Sequence, residues 1–180
     1  MPGTRMDRVF GPVMQNGFVV DDLERAIAHW TQRMGVGPFF IFPRIDFAEC
    51  WYQDRQALDI DLTVAIAYWG DLQIELIQQR NEAPSIYRDF RVRGLTGLQH
   101  MGVITQSLDA DLSALARRAI YPVQHGRVAS GMRFAYVATD YHPGGMIELI
   151  EAGSKGLAFF EKMRIAARDW TGEPASHLLP

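Results

Sequence analysis

Hydrophobic and polar positions follow the same order twice in this chain, at an offset of 85 residues. The two copies are MQNGFVVDDL at 14–23 and QHMGVITQSL at 99–108. In each copy a polar residue and a glycine two positions later precede a β-branched run, which favours a strand. Asp21 or Asp22 in the first copy and Ser107 in the second are suited to cap a following helix. The repeat therefore predicts a strand followed by a helix in each half of the chain.

The spacing of apolar residues supports a helix after each of these strands. The apolar positions are Leu23, Ile27 and Trp30 in the first half and Leu108, Leu112 and Leu115 in the second. More strands are predicted at Phe39–Ile45, Leu62–Trp69 and Met132–Thr139, and at the sequence Ile-Glu-Leu-Ile, which occurs at 74–77 and at 147–150. Each half therefore reads as a strand, a helix and several further strands.

A glycine-containing joint divides the chain into two predicted modules, residues 1–93 and 94–180, within one compact domain. A short helix at Ile86–Arg91 leads into this joint. A further helix is predicted at Lys155–Trp170, and residues 171–180 are expected to be frayed.

Charge and composition narrow the classes of function. The chain has 180 residues, a net charge of −3 and a pI of about 5.9, so it lacks the basic surface of a nucleic-acid-binding protein. Cys50 is the only cysteine, which excludes an intramolecular disulfide and fits a reducing compartment. Residues 1–11 lack the apolar core of a signal peptide, and the apolar stretch Leu62–Gly70 is too short to cross a bilayer. We predict a cytoplasmic protein with a small-molecule substrate and without nucleic-acid or membrane partners.

Four polar residues interrupt apolar strands at corresponding places in the two halves. Gln15 and His100 head the first strand of each half, and Glu75 and Glu148 lie within the two Ile-Glu-Leu-Ile sequences. A carboxylate among buried apolar residues is costly unless it is paired, protonated, exposed or bound to a cation. Each residue alone fits an ordinary surface or core position, but their joint repetition favours a functional site.

These residues resemble the vicinal-oxygen-chelate superfamily, which includes glyoxalase I, methylmalonyl-CoA epimerase, extradiol dioxygenases and bleomycin-resistance proteins. The resemblance covers roughly residues 11–152 and is carried by Gln15, Glu75, His100 in Leu-Gln-His-Met-Gly-Val and Glu148 in Gly-Gly-Met-Ile-Glu-Leu-Ile. It implies an α+β fold in which two βαβββ modules form an open, cup-shaped mixed sheet, with a C-terminal helix. The order of the polar residues is similar to glyoxalase I, and the surrounding sequence is more similar to the epimerase. Gln15 and Gln99 stand where the epimerase usually has histidine.

The resemblance further implies that Gln15, Glu75, His100 and Glu148 bind one divalent metal ion. One imidazole, one amide oxygen and two carboxylates carry a charge of −2, which balances Zn²⁺, Co²⁺, Ni²⁺, Mn²⁺, Mg²⁺ or Fe²⁺. Such a metal stabilises an enolate as a Lewis acid, and we expect Glu148 to be both a ligand and the base that removes the α-proton. Because binding requires a neutral His100, we expect metal affinity to fall below a pH of about 6.

Other residues are weaker candidates for the same site. Glu49 lies among apolar residues on a predicted strand and is a candidate second base, with an exposed strand edge as the alternative explanation. His125 and His142 are candidate substrate contacts in loops. The aromatic candidates for the wall of the cup are Tyr68, Trp69, Tyr136 and Tyr141.

Three classes of function remain open at this point. The first is a metal-dependent epimerase, isomerase or glyoxalase-type lyase acting on a CoA thioester, a glutathione adduct or a small aromatic or keto acid. The second, an extradiol dioxygenase, is disfavoured because its iron triad has two histidines and one carboxylate. The third, a metal-free binding protein of the drug-resistance type, would not need the full set of ligands. A homodimer is expected, because open sheets leave edges that need cover.

Overall fold

The structure, a computed structural model, describes residues 10–139 and 145–179. The strands are β1 (Val13–Val19), β2 (Phe39–Phe42), β3 (Phe47–Tyr52), β4 (Arg55–Gln56), β5 (Leu62–Trp69), β6 (Leu72–Gln79), β7 (Gly97–Ile104), β8 (Pro122–Val128), β9 (Arg133–Ala138), β10 (Met146–Glu151) and β11 (Ser176–Leu178). The helices are α1 (Leu23–Met34), α2 (Ile86–Val92), α3 (Leu108–Ala116) and α4 (Gly153–Arg168). None of the helices in the described ranges is long and apolar enough to cross a membrane.

Within the described residues one mixed sheet of 11 strands runs in the order β11-β2-β5-β6-β1-β7-β10-β9-β8-β3-β4. β1 is parallel to β6, and β7 is parallel to β10, so the two halves have the same topology around their first strands. β1 and β7 pair antiparallel at the centre and join the two halves. This arrangement confirms the predicted α+β fold of two βαβββ modules, whereas the module boundaries at 93 and 94 stay a prediction.

Local sequence explains where the helices begin and which face they cover. The Asp22 carboxylate accepts a hydrogen bond from the backbone N–H of Arg25 (2.9 Å) and caps α1, and Ser107 caps α3 in the same way. Leu23 of α1 and Leu115 of α3 are buried in two separate apolar clusters on the outer face of the sheet. The two amphipathic helices therefore cover the outer face of the sheet.

The inner face holds the largest apolar cluster. The helices α2 and α4 pack there, with Ile86, Phe90 and Met163 buried at 2%, 6% and 1% exposure. The hairpin of β3 and β4 leaves the first half of the chain and pairs with β8 of the second half. The two halves therefore share one core on this face.

The end of the chain differs from its prediction. Residues 171–180 are expected to be frayed, but Ser176–Leu178 form β11, which pairs in parallel with β2. The sequence of this segment is not typical of a strand, and tertiary contacts hold it in place. The ring of Trp170 lies so close to Gly37 that a Cβ at position 37 would touch it, and the ring of Phe40 stacks on His177. β11 and β4 are the sheet edges in the described structure, and the expected homodimer stays a prediction.

Candidate metal centre

The central pairing of β1 and β7 positions the four polar residues. Gln15 lies opposite Gly102, and Gly17 lies opposite His100. On the outer sides, Glu75 of β6 is level with Gly17, and Glu148 of β10 is level with Gly102. Because alternate residues of a strand share a face, these positions bring all four side chains to the inner face.

The two glycines of the repeated motif make room for the polar residue of the opposite strand. A Cβ at position 17 would overlap the imidazole ring of His100. A Cβ at position 102 would lie 2.9 Å from the Cβ of Gln15 and would overlap its amide oxygen. Each glycine therefore provides the space that the polar side chain of the opposite strand occupies.

Three oxygen atoms converge on one nitrogen atom. The Nε2 atom of His100 lies 3.3 Å from Gln15 Oε1, 3.3 Å from Glu75 Oε2 and 3.4 Å from Glu148 Oε2. The His100 side chain is fully buried, and those of Glu75 and Glu148 are 13% and 8% exposed. The ligand atoms of His100 and the two glutamates lie within 4.8 Å of one another. The structure thus brings together the four residues singled out from the sequence.

The hydrogen-bonding chemistry of this cluster fits a cation. The Nδ1 atom of His100 lies 2.8 Å from Gln99 Oε1, and in the neutral tautomer that donates there Nε2 has no hydrogen. The lone pair of Nε2 then faces the three oxygens. In this neutral state the buried Oε2 atom of Glu75 accepts no hydrogen bond among the described residues, which is costly for a carboxylate. A divalent ion between these donors would satisfy them all.

A proton can balance the same charges when no metal is bound. Burial lowers the pKa of His100, but hydrogen bonds and charges from Glu148 and Glu75 outweigh burial and raise that pKa to about 9. Burial raises the pKa of Glu75 against the opposing effect of its contact with His100. The metal-free site therefore holds protons at neutral pH, and a metal ion would have to displace them.

Neighbouring amides orient the ligands. Gln15 Nε2 donates to Gln73 Oε1 (2.6 Å), and Gln73 Nε2 donates to the Tyr68 hydroxyl (2.9 Å), which leaves Gln15 Oε1 facing His100. Gln99 is the extra residue of an irregularity between β1 and β7, and it reaches the other nitrogen of His100. Neither Gln73 nor Gln99 is among the site residues predicted from the sequence. Gln73 could have been found from its spacing, because it lies two residues before Glu75 and therefore on the same face of the strand.

A cavity of about 520 Å³ lies above the cluster, and Gln15, Glu75 and Glu148 line it. Tyr87 of α2 and Tyr136 of β9 also line it, and their hydroxyl oxygens are 2.9 Å apart. One hydroxyl hydrogen makes this bond, so the other is available to a ligand. Tyr136 lies directly across from Glu148 on the adjacent strand. The hydroxyl pair and the carboxylates therefore border the same space.

Several sequence candidates lie elsewhere. An irregularity between Phe47 and Glu49 changes the alternation along β3, so Phe47 lines the cavity while Glu49 is half exposed and pairs with Arg127 (3.0 Å). The structure therefore does not bring Glu49 to the cluster, and a role as second base has no support in its position. His125 is adjacent to Ala135 of the outer apolar cluster, and Trp69 is 54% exposed. Tyr141 and His142 lie outside the described residues.

A sequence profile of the Glyoxalase/Bleomycin resistance protein/Dioxygenase superfamily matches residues 14–136, which is more than half of the chain. The chain belongs to this superfamily, and the resemblance found in its sequence is confirmed. Among curated proteins, none matches the chain at a significant level.

Solved structures share its fold. Methylmalonyl-CoA epimerase from Mycobacterium tuberculosis is 20% identical, with a TM-score of 0.60, over 87% of this chain and 97% of the epimerase. A Streptomyces coelicolor methylmalonyl-CoA epimerase in complex with 2-nitronate-propionyl-CoA is 14% identical, with a TM-score of 0.59, over 81% of this chain and 96% of the other. A hypothetical protein from Bacillus halodurans C-125 is 14% identical, with a TM-score of 0.57, over 78% and 93%. At these identities the likeness establishes the fold alone.

The first prediction concerns the glycines. Gly17→Ala should destabilise the protein by about 1–3 kcal/mol or more, because the buried His100 ring cannot move aside without disturbing the cluster. Metal affinity, measured by isothermal titration calorimetry, should fall in parallel. Gly11→Ala is the matched control, since its Cβ would meet only Ile104 O at an ordinary 3.5 Å. Equal metal affinity in the two variants would contradict the packing argument.

The second prediction concerns pH. The pKa of His100 is raised from 6.5 to about 9, so the bound proton stabilises the metal-free protein below pH 6.5, and this contribution is lost as the pH rises through about 9. Metal affinity should therefore increase up to a pH of about 9, by about tenfold per pH unit for each proton released. This window lies above the pH of about 6 expected from the sequence. Calorimetry at pH 7 in buffers of different ionisation enthalpy should show proton release, and affinity that is constant between pH 7 and 9 would contradict the shift.

Proposed function

We propose that this protein is a divalent-metal-dependent enzyme that removes a proton α to a carbonyl group, as an epimerase, an isomerase or a glyoxalase-type lyase does. The observation that carries the proposal is the convergence of three oxygen donors on His100 Nε2 at the floor of a cavity. Gln15, Glu75, His100 and Glu148 would hold the metal, and their hard to borderline donors suit Zn²⁺, Co²⁺, Ni²⁺, Mn²⁺, Mg²⁺ or Fe²⁺. Membership of the superfamily and the fold shared with epimerases support this class of reaction.

When bound, a divalent cation supplies Lewis-acid polarisation of a substrate oxygen. Glu148 is the base in this proposal. It borders the cavity with a side chain that is 8% exposed, so it can reach the α-carbon of a substrate from a site with little water. Glu75 occupies the equivalent position in the other half and is the second carboxylate that can carry a proton when the reaction needs one on the opposite face.

The hydroxyl pair of Tyr87 and Tyr136 can stabilise the developing negative charge. Burial, and then the charge of Glu148, raise the pKa of both phenols well above the ordinary value, so both keep their protons at neutral pH. Their free O–H then serves as a hydrogen-bond donor to an enolate oxygen. Such a donor acts most strongly in a site that excludes water.

A thioester is the first substrate class to test, since one similar epimerase is in complex with methylmalonyl-CoA and NH4+. The donor set of one histidine and two carboxylates differs from the two-histidine triad of Fe(II) oxygenases, so we do not propose a dioxygenase.

The third prediction tests the base. Metal-loaded protein should exchange the α-proton of a substrate for deuterium in D₂O, followed by proton NMR across acyl thioesters, hemithioacetals and hydroxyketones. Glu148→Gln should slow exchange by about 10²–10⁴-fold, because the amide cannot accept the proton. It should cost less metal affinity than His100→Ala, because its amide oxygen remains a ligand.

The matched control is Glu24→Gln, which removes an exposed carboxylate on α1 from the outer side of the sheet. It should leave both metal affinity and exchange unchanged. A protein that binds no divalent metal, or a Glu148→Gln variant with full exchange activity, would rule out the proposed mechanism.

The fourth prediction tests the hydroxyl pair. Tyr136→Phe should lower the exchange rate by about 10²-fold through loss of one donor, while metal affinity stays unchanged. Tyr121→Phe is the control, because Tyr121 is 65% exposed. The comparison is made by single-turnover exchange, with calorimetry for the metal. If both variants exchange at the same rate, the hydroxyl pair has no part in the reaction.

A further inference from the structure

The cavity above the candidate metal centre has charged residues at its two ends and none between them. Glu75 and Glu148 are at the floor. The other charged residues that line it are Arg44, Asp46 and Lys155, all of which are exposed and therefore mark the mouth. Arg44 and Asp46 pair with each other at 3.2 Å, with side chains 70% and 71% exposed. These three charges are thus solvated.

Apart from Gln15, Ser130 and the hydroxyl pair, the side chains that line the body of the cavity are apolar. Its aliphatic residues come from neighbouring strands, and Val64, Ile66 and Ile150 are 6%, 6% and 2% exposed. Its aromatic residues come from strands and from the C-terminal helix: Phe42, Phe47, Phe134, Phe159 and Phe160. A volume of about 520 Å³ is typical of a pocket that encloses most of a small-molecule ligand.

The wall formed by α4 is held firmly in place. Met163 is buried at 1% exposure in the inner core, and the rings of Phe159 and Phe42 are in edge contact at 6.1 Å. Arg164 pairs with Asp71 at 3.0 Å, and the chain after the helix is tied to β2 through β11. The aromatic wall is therefore a fixed boundary of the cavity.

We propose that the substrate carries adjacent oxygens at one end and an apolar body, either an aromatic ring or a branched alkyl group, that fills the cup beside them. The position of the oxygens rests on the proposed function. A carboxylate in place of this apolar body would lie against Ile66, Phe134 and Phe159, and a desolvated charge on apolar side chains is costly. The cations that line the cavity, Arg44 and Lys155, are exposed to water. The protein should therefore prefer apolar acyl groups over dicarboxylic ones.

The test compares three pantetheine thioesters, those of mandelate, tartronate and lactate, by calorimetry and by α-proton exchange in D₂O. Each has a hydroxyl oxygen beside the thioester carbonyl and one α-proton, and they differ only in the phenyl, carboxylate or methyl group on the α-carbon. The metal-loaded protein should bind the mandelyl thioester at least about tenfold more tightly than either of the others. Phe159→Ala should weaken binding of this thioester by about tenfold, as expected for an aromatic contact and the apolar area that it buries. Leu157→Ala, on the same helix but 41% exposed and outside the cavity, should leave binding unchanged.

The outcomes separate the two proposals. Tighter binding of the tartronyl thioester overturns the inference. Equal binding of the lactyl and mandelyl thioesters also overturns it, because the apolar side chains would then not contact the phenyl group. Selective binding of the mandelyl thioester without α-proton exchange would support the apolar substrate class and overturn only the proposed function.

Discussion

The antiparallel pairing of β1 with β7 is the constraint on which the site depends. At two places on the inner face, a polar side chain on one strand occupies the space above a glycine on the other. The two pairs are His100 with Gly17 and Gln15 with Gly102. A shift of one residue in this register would turn the polar side chains to the opposite face and place them against apolar residues. The register, the glycines and the cluster are therefore a single feature of the fold, and none of them functions without the others.

The cluster places two carboxylates in a buried position, and the surrounding hydrogen bonds, apolar packing and bound protons offset the cost of burying them. Gln73 and Gln99 are almost fully buried, and each holds one ligand in orientation. The outer face is covered by α1 and α3, so apolar packing supports the strands from behind. Protons on the cluster reduce its net charge, so a metal ion that bound there would release them. The same burial that makes the site costly would make its charges effective on a bound substrate.

The sequence predicted those parts of the molecule that repeat. The repeat located β1, β7, the caps at Asp22 and Ser107, and the four polar residues. The repeat could not predict the position of Glu49, because a local irregularity in β3 changes which side chains face the inner side of the sheet. Nor could it predict β11 or the approach of Tyr87 to Tyr136. These depend on contacts between residues that are distant in the sequence and have no periodic pattern.

The two halves are alike at the floor of the cup and different above it, and this difference bears on the roles proposed for the two carboxylates. Directly across from Glu75 on the neighbouring strand lies Ile66, whereas directly across from Glu148 lies Tyr136. A symmetric floor suits an ion, which needs donors on all sides. A reacting carbonyl needs a base and a hydrogen-bond donor on the same side, and only the second half provides both. The asymmetry of one residue pair thus favours Glu148 over Glu75 as the base, although the repeat makes the two glutamates equivalent in sequence.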